Sequence, residues 1–124
     1  MDILLVEDDP DLAEMYQLQL EHGGYSVTVS TSAQGALDAL DAKPVELIIL
    51  DLLLPQHNGL SVLYELHSYN DWQKLPVIIL SSLPAREIGA SQQVLKGLGV
   101  ADYLDKAHTK PARLLAAVAA AVKN

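Results

Sequence analysis

The sequence predicts a doubly wound α/β domain in which five helices pack around a five-stranded parallel sheet. Five short apolar segments alternate along the chain with five segments of helical periodicity. Right-handed crossovers between successive strands of such a pattern produce a parallel sheet. Leu47 to Asp51 lacks polar alternation, as a strand buried on both faces does. The 124 residues fit one compact domain, so residues 1–124 are assigned to a single three-layer α/β/α unit.

The predicted strands are short apolar runs bounded by turn-forming or charged residues. In chain order they are Asp2 to Val6, Tyr25 to Thr31, Leu47 to Asp51, Val77 to Leu80 and Val100 to Leu104. The second strand, Tyr25 to Thr31, alternates between apolar and polar side chains, whereas the other four strands show little alternation. The third strand is the most apolar, and we expect it at the centre of the sheet.

The first two predicted helices begin at recognisable N-caps. Asp9 caps the first helix, and Pro10 occupies the first helical position, where proline is favoured. Ser32 can cap the second helix, which carries small and apolar side chains on one face. Gly23-Gly24 and Lys43-Pro44 end these two helices.

The remaining three helices follow from the spacing of their apolar residues. Pro55 to Gly59 is predicted as a turn, and leucines at helical spacing then mark a third helix that runs to near Tyr69. Pro84 to Leu98 is predicted as the fourth helix despite the internal Gly89, which lowers helix propensity. The last helix is amphipathic and extends to Val122.

The composition excludes several classes of protein. The formal net charge of −8 disfavours direct binding to nucleic acid phosphates and to anionic membranes. The chain has no cysteine, which excludes disulfides, thiolate metal sites and cysteine nucleophiles. No apolar run is long enough to span a bilayer, and no signal segment opens the sequence. We therefore expect a cytoplasmic protein.

Acidic side chains gather in the segment ILLVEDDP, where Glu7 and Asp8 directly follow the first strand. Asp51 ends the third strand, Ser81 ends the fourth, and Lys106 lies just past the fifth. The carboxyl ends of parallel strands meet at one edge of the sheet, where open α/β folds bind ligands. Carboxylates without cysteine or histidine at ligand spacing favour a hard cation, Mg²⁺ or Mn²⁺. A carboxylate, a hydroxyl and an ammonium group beside a metal ion are suited to phosphoryl transfer.

The chain carries four motifs, LLVEDDP, LIILDLLLPQHNG, PVIILSS and ADYLDKA, in that order. Asp51 follows Asp8 by 43 positions, and Ser81 follows Asp51 by 30. Through these motifs nearly the whole chain resembles a response-regulator receiver domain of two-component signalling. The resemblance implies a flavodoxin-like fold with strand order 2-1-3-4-5. It also implies a phosphorylation-dependent switch rather than an enzyme.

The resemblance implies roles for individual residues. Asp51 would be the phosphoacceptor, and it would take the phosphoryl group from a phosphohistidine of a sensor histidine kinase or a phosphotransfer protein. Asp8 would ligate the metal ion, and Glu7 would act largely through a metal-bound water. The Leu53 backbone carbonyl would add a further ligand, and Lys106 would pair with the phosphoryl oxygens.

Other residues would transmit the phosphorylated state. By the same resemblance, Ser81 would hydrogen-bond a phosphoryl oxygen and move inward, and Tyr103 would change rotamer as the switch aromatic. The readout face would comprise the fourth helix, the fifth strand and the fifth helix, roughly Pro84 to Val122. It would bind an output partner or a second copy of the chain. Trp72 is interpreted as local packing rather than as part of a docking surface.

Three features bear on how closely the chain follows the family. Ala107 stands where the family usually has proline after the lysine, so the peptide bond after Lys106 is either a non-proline cis bond or a trans bond. Ser81 and Lys106 are 25 positions apart, which is longer than expected and affects the predicted fourth helix. By the same resemblance, Leu53 and Leu83 stand in positions that in receivers flank the path of attacking water, where leucine would prolong the phosphorylated state.

Three other classes of function share parts of this pattern. A magnesium-dependent phosphohydrolase also uses an aspartate nucleophile on such a sheet, but Leu53 stands where that family has its second aspartate. A flavodoxin-type cofactor carrier needs a phosphate-binding loop after the first strand, where this chain has acids. The third alternative is a receiver-fold interaction module that no longer switches. Ala107 favours this alternative, whereas the complete set of site residues opposes it.

Overall fold

The computed structural model of the protein describes residues 1–54, 57–83, 87 and 91–122. This part of the chain contains seven strands. They are β1 (Asp2–Val6), β2 (Ser26–Ser30), β3 (Leu47–Leu50), β4 (Leu53–Leu54), β5 (His57–Asn58), β6 (Val77–Ser81) and β7 (Val100–Asp105). Strands β4 and β5 pair with each other in antiparallel orientation, and the other five form the central sheet.

Five helices connect the strands in the described part of the chain. They are α1 (Pro10–His22), α2 (Ala33–Ala42), α3 (Gly59–Ser68), α4 (Gln92–Gly97) and α5 (Pro111–Val122). The Asp9 carboxylate accepts hydrogen bonds from the first turn of α1, and the Ser32 hydroxyl accepts one from the Gly35 amide at 3.0 Å. Both predicted N-caps are therefore confirmed. None of the helices among the described residues has the length and apolar character needed to cross a membrane.

The central sheet is parallel and has the order β2-β1-β3-β6-β7. With the short hairpin strands set aside, this is the predicted order 2-1-3-4-5, and the fold class is confirmed. Val6 pairs with Ser30 on one side and with Leu50 on the other, and Leu50 pairs with Ile79. The carboxyl ends of the inner strands therefore lie at nearly the same level, and the residues that follow them are neighbours.

The side chains of the inner strands divide between two apolar cores. Ile3 and Leu5 of β1 face one core, which α1 and α5 cover, whereas Leu4 and Val6 face the other, which α2 and α3 cover. Each of these four residues is at most 1% exposed. Burying an aliphatic side chain of this size contributes roughly 1.5–3 kcal/mol, so both faces of β1 stabilise the fold. Burial on both faces is the reason that the inner strands show no polar alternation.

The structure differs from the sequence-based expectation after β6. The prediction of one continuous helix over residues 84–98 is wrong, because α4 comprises Gln92–Gly97 and the residue before it is not helical. Ser91 has extended backbone, and its hydroxyl accepts a hydrogen bond from the Val94 amide at 3.1 Å, so it caps the helix there. Residues 84–86 and 88–90 lie outside the described part of the chain. The β4–β5 hairpin was also not predicted, because two-residue strands leave no periodic pattern.

A matched pair of glycines tests the turn that leads into β7. Gly99 has φ +88°, and a Cβ there would lie 3.2 Å from the Leu75 carbonyl oxygen, whereas Gly24 has φ +97° and open space around its Cβ position. Both alanine substitutions carry a backbone cost of roughly 1–3 kcal/mol, but only Gly99→Ala adds a close contact with backbone. We expect Gly99→Ala to lower the free energy of unfolding in urea more than Gly24→Ala does. Equal losses would show that the contact with Leu75 has no effect.

Candidate functional site

Backbone hydrogen bonds that continue the sheet position the candidate site. Glu7 directly follows β1, and the Asp51 amide donates to the Val6 carbonyl at 3.0 Å. The Lys106 amide donates to the Ser81 carbonyl at 3.0 Å. The predicted convergence at the carboxyl edge of the sheet is therefore present, with side chains from β1, β3, β6 and β7 within reach of one another.

Lys106 binds two carboxylates that come from different strands. Its Nζ donates to Asp51 Oδ2 at 2.7 Å and also contacts Glu7 Oε1. The side chains of Glu7 and Asp51 are only 2% and 5% exposed, and that of Lys106 is 13% exposed. Two buried carboxylates side by side would repel each other and would lose their hydration, so the shared ammonium group compensates both.

The second oxygen of Asp51 is bound by neutral donors. The Ser81 hydroxyl donates to Asp51 Oδ1 at 3.0 Å, and the Leu53 amide donates to the same oxygen at 3.0 Å. Ser81 is fully buried. Together with Lys106 these contacts satisfy both oxygens of Asp51 and hold its side chain in one orientation.

For both Glu7 and Lys106, burial and charge pairing shift the pKa in opposite directions. Burial raises the pKa of Glu7, the neighbouring Asp51 charge adds to that effect, and the contact with Lys106 opposes it. Burial by itself would lower the pKa of Lys106, but the hydrogen bonds and charges of Asp51 and Glu7 outweigh it and raise that pKa. A raised lysine pKa in the folded state means that its pairing stabilises the fold at neutral pH. This contribution is lost only as the pH rises through that folded-state pKa.

The three successive acids after β1 have different surroundings. The Asp9 carboxylate caps α1 by accepting from the Asp11 amide at 2.9 Å and from the Leu12 amide at 3.2 Å. The Asp9 amide in turn donates to Glu7 Oε2 at 3.2 Å, so both oxygens of Glu7 are engaged. Asp8 is exposed, and its carboxylate has no hydrogen-bond or ion-pair partner among the described residues.

The acids form a set that fits a hard divalent cation. One carboxylate oxygen from each of Glu7, Asp8 and Asp51 lies within 4.8 Å of the other two. Three carboxylates against the single ammonium group of Lys106 leave the cluster negatively charged. Oxygen donors alone, with one side chain open to solvent, suit Mg²⁺ or Mn²⁺, which keep several waters.

A line of hydrogen bonds leads from Asp51 toward the surface of β7. Ser81 Oγ, which donates to Asp51, also accepts from the Leu83 amide at 3.2 Å. The hydroxyl of Tyr103 donates to the Leu83 carbonyl, and its half-buried ring packs on the core that α2 and α3 cover. Sequence reasoning missed the part played by Leu83, because its contribution comes from backbone atoms that any residue type carries.

The loop after β7 forms without the proline that the family usually has there. The described residues contain no cis peptide bond, so the bond between Lys106 and Ala107 is trans. The Ala107 amide donates to Asp105 Oδ1 at 2.9 Å, and His108 contacts Asp105 Oδ2. These two hydrogen bonds lower the pKa of Asp105. The Asp105 side chain thus anchors the turn that presents Lys106.

One predicted metal ligand stays untested. The Leu53 amide contacts Asp51, and the role of the Leu53 carbonyl as a metal ligand stays a prediction.

Comparison with known proteins places the fold and site in a wider group. The family model of the response regulator receiver domain matches residues 3–119. The chain is 37% identical over 109 residues to the uncharacterized transcriptional regulatory protein YkoG of Bacillus subtilis, covering 82% of this chain and 47% of YkoG. It is 33% identical over 123 residues to the transcriptional regulatory protein KdpE of Mycobacterium tuberculosis, covering 94% of this chain and 50% of KdpE.

The similarity extends to solved structures. The crystal structure of a sensor protein from a Polaromonas species superimposes with a TM-score of 0.90 at 30% identity, covering 99% of this chain and 96% of that one. The chain thus shares the fold of that protein, with an acid–lysine cluster at the carboxyl edge of its five-stranded parallel sheet. Since the family model covers almost the whole chain, the protein belongs to the response regulator receiver domain family. The chain spans about half the length of the curated relatives named above.

Replacing Lys106 tests its role as the shared cation. Lys106→Met keeps a side chain of similar length but leaves Glu7 and Asp51 buried without a cation, so we expect a loss of roughly 3–5 kcal/mol in the free energy of unfolding at about pH 7. The loss should shrink at about pH 5, because Glu7 takes up a proton more readily without the lysine. Exposed Lys110, which forms no ion pair with a described residue, is the control. Equal unfolding free energies for Lys106→Met and Lys110→Met would contradict this role.

Proposed function

We propose that the protein is a phosphorylation-dependent signalling switch in which Asp51 accepts a phosphoryl group. The donor is a phosphohistidine of a sensor histidine kinase or of a phosphotransfer protein. One observation carries the proposal: the Asp51 carboxylate is buried where Lys106 and the Ser81 hydroxyl converge, with oxygens of Glu7 and Asp8 within 4.8 Å. A carboxylate nucleophile with a cation and a hydroxyl aimed at it matches phosphoryl transfer to aspartate.

The transfer moves the phosphoryl group from nitrogen to oxygen. An Asp51 oxygen attacks phosphorus, so that a P–O bond forms and an acyl phosphate results. The P–N bond breaks, and its electron pair returns to the imidazole of the donor histidine. Lys106 already contacts Asp51 Oδ2 and can follow the negative charge onto the phosphoryl oxygens, one of which the Ser81 hydroxyl can bind. The chain assists its own modification by positioning and does not turn over a substrate as an enzyme would.

The carboxylates of Asp8 and Asp51 would hold the cofactor cation, Mg²⁺ or Mn²⁺, with the Leu53 carbonyl as a further ligand. When bound, the cation neutralises charge on the transferring group and orients it. Glu7 is already engaged by Lys106 and by the Asp9 amide, which supports a role through water rather than direct ligation. Asp8 has no competing partner among the described residues, which supports direct ligation by its carboxylate.

The hydrogen bonds around Ser81 provide a route for the switch. Phosphorylation changes the oxygen that the Ser81 hydroxyl binds, and Ser81 Oγ also holds the Leu83 amide. Movement of Ser81 therefore shifts the Leu83 carbonyl, which is the partner of the Tyr103 hydroxyl. Phosphate then stabilises one of two arrangements and shifts the population toward it. The readout face would be residues 84–122, and it would bind an output partner or a second copy.

The alternative functions have no specific support at the site. Leu53 occupies the place of the second aspartate of a phosphohydrolase, and its side chain is 49% exposed. Lys106 contacts Asp51 although alanine stands at position 107 in place of the usual proline, and this contact supports a switching receiver over a module that no longer switches. A chain without cysteine agrees with a reducing compartment, so we propose that the protein acts in the cytoplasm.

Treatment with acetyl phosphate and Mg²⁺ tests the assignment of Asp51. We expect the intact mass to increase by one phosphoryl group, with no increase for Asp51→Asn or after chelation of the metal ion. Asp9→Asn is the matched control, because the Asp9 carboxylate caps α1 and stays outside the metal-binding set. Labelling of Asp51→Asn would contradict the assignment, and absence of labelling in the unaltered chain would favour the interaction module.

The exposed Leu53 side chain offers a test of the lifetime of the phosphorylated state. We expect Leu53→Asn to speed dephosphorylation, because a polar side chain beside Asp51 admits and orients water that leucine excludes. The measurement is the decay of phosphorylated protein after removal of the donor. Leu18→Asn is the control, since Leu18 is 59% exposed on α1. A decay rate unchanged by Leu53→Asn would show that Leu53 does not shield the phosphoryl group.

A further inference from the structure

A groove lies between α2 and the segment that follows α3. Two adjoining hollows of about 270 Å³ and 230 Å³ share Asp41, Asp71 and Trp72 in their walls and so form one continuous feature. Leu40 and Leu75 line its deeper part. The groove is thus an apolar depression bounded by two elements of the domain, and not a flat patch of surface.

The groove lies at the opposite end of the sheet from the phosphoacceptor. Val45, in its lining, precedes β3, and Leu75 precedes β6, so the groove borders the amino edge of the sheet. Asp51 follows β3 at the carboxyl edge. A ligand in the groove therefore leaves the phosphorylation site uncovered, and this inference does not rest on the proposed function.

The rim of the groove is acidic on both sides. Asp38 and Asp41 come from α2, Glu65 comes from α3, and Asp71 follows α3. All four side chains are exposed, and none forms an ion pair with a described residue. No lysine, arginine or histidine of the described residues lines either hollow. Lys43, just past α2, pairs instead with Asp2 at 3.4 Å.

An aromatic pair forms part of the groove between these acids. The rings of Tyr69 and Trp72 lie with centroids 4.7 Å apart and planes tilted by 52°. Trp72 packs partly on the core, as its interpretation as local packing implies, but its remaining surface lines the groove, so the docking surface proposed below departs from the second half of that interpretation. Aromatic faces beside carboxylates attract the cationic head of a long side chain, and the apolar lining accommodates its methylene groups.

The spacing of the acids argues against a metal ion as the occupant. Among the described residues, only Glu7, Asp8 and Asp51 bring three potential ligand atoms close enough to share an ion. The carboxylates of the groove do not converge in that way. Nucleic acids and anionic membranes are repelled by the same charges. An extended, positively charged chain with apolar stems matches both the shape and the charge of the groove.

We propose that this groove docks a basic segment of a protein partner, with an arginine or lysine side chain lying against Trp72 between Asp41 and Asp71. The acids supply charge complementarity, and the apolar lining supplies contact area. The interaction weakens with added salt, because the four carboxylates are exposed and are screened by it.

Intrinsic fluorescence reports on the groove directly, because Trp72 is the single tryptophan of the chain. The probe is the acetylated, amidated tripeptide Arg-Leu-Arg, titrated into the full chain, with Gln-Leu-Gln as the neutral counterpart. We expect a saturable change in Trp72 emission with the basic peptide and none with the neutral one. The double variant Asp41→Asn/Asp71→Asn, which keeps the fluorophore, should weaken binding roughly 2- to 30-fold.

A matched variant separates local complementarity from net charge. Glu14→Gln/Glu21→Gln removes the same charge from exposed positions of α1, and it should bind as the unaltered chain does. Far-UV circular dichroism checks that both double variants keep the fold. The proposal is overturned by the absence of a saturable change, by equal binding of the neutral peptide, or by equal weakening in both double variants. Saturation by Mg²⁺ alone at this groove, or binding of single-stranded RNA or anionic vesicles to it, would overturn it as well.

Discussion

The ammonium group of Lys106 is the interaction on which the candidate site depends. Glu7 and Asp51 are buried neighbours that follow adjacent strands, and the shared cation offsets the cost of burying their side chains together. Lys106 follows β7, two strands away from β3, so its long side chain must span β6 to reach them. Ser81 ends that intervening strand, and its hydroxyl donates a hydrogen bond to Asp51. The charge pairing thus ties three strand ends into one arrangement.

That arrangement is possible because the inner strands are buried on both faces and held in register. Apolar side chains on the two faces of β1 and β3 pack into separate cores, so a shift of either strand along the sheet would disrupt both. The register places Val6 beside Leu50, and the acids that follow them come into contact as a consequence. Stability and chemistry are therefore coupled: the packing that stabilises the sheet also sets the distances at its carboxyl edge.

Much of this could be predicted from the sequence, and the parts that could not have physical reasons. The sequence predicted that Asp51, Ser81 and Lys106 lie together. Each of these polar residues directly follows or ends an apolar strand, and the carboxyl ends of parallel strands meet at one edge of the sheet. The amide donors of Leu53 and Leu83 were not predictable, because backbone groups leave no signal in a sequence. The start of α4 depends on Ser91, whose extended backbone and capping hydroxyl begin the helix at Gln92 and which carries no periodic apolar signal. The contact between Lys106 and Glu7 could not be predicted, because the spacing of residues in a sequence does not give the directions of their side chains.

We infer that separate strand ends gather carboxylates which one lysine neutralises only in part, leaving a place for a divalent cation beside Asp51. A crystal structure grown with Mn²⁺ tests this most directly, because the anomalous signal locates the ion independently of the protein atoms. We predict one peak at the carboxyl edge, with oxygens of Asp8 and Asp51 bound to it and Lys106 still in contact with Asp51. The absence of an anomalous peak at the carboxylates, or an ion bound by Asp8 but not by Asp51, would contradict the account.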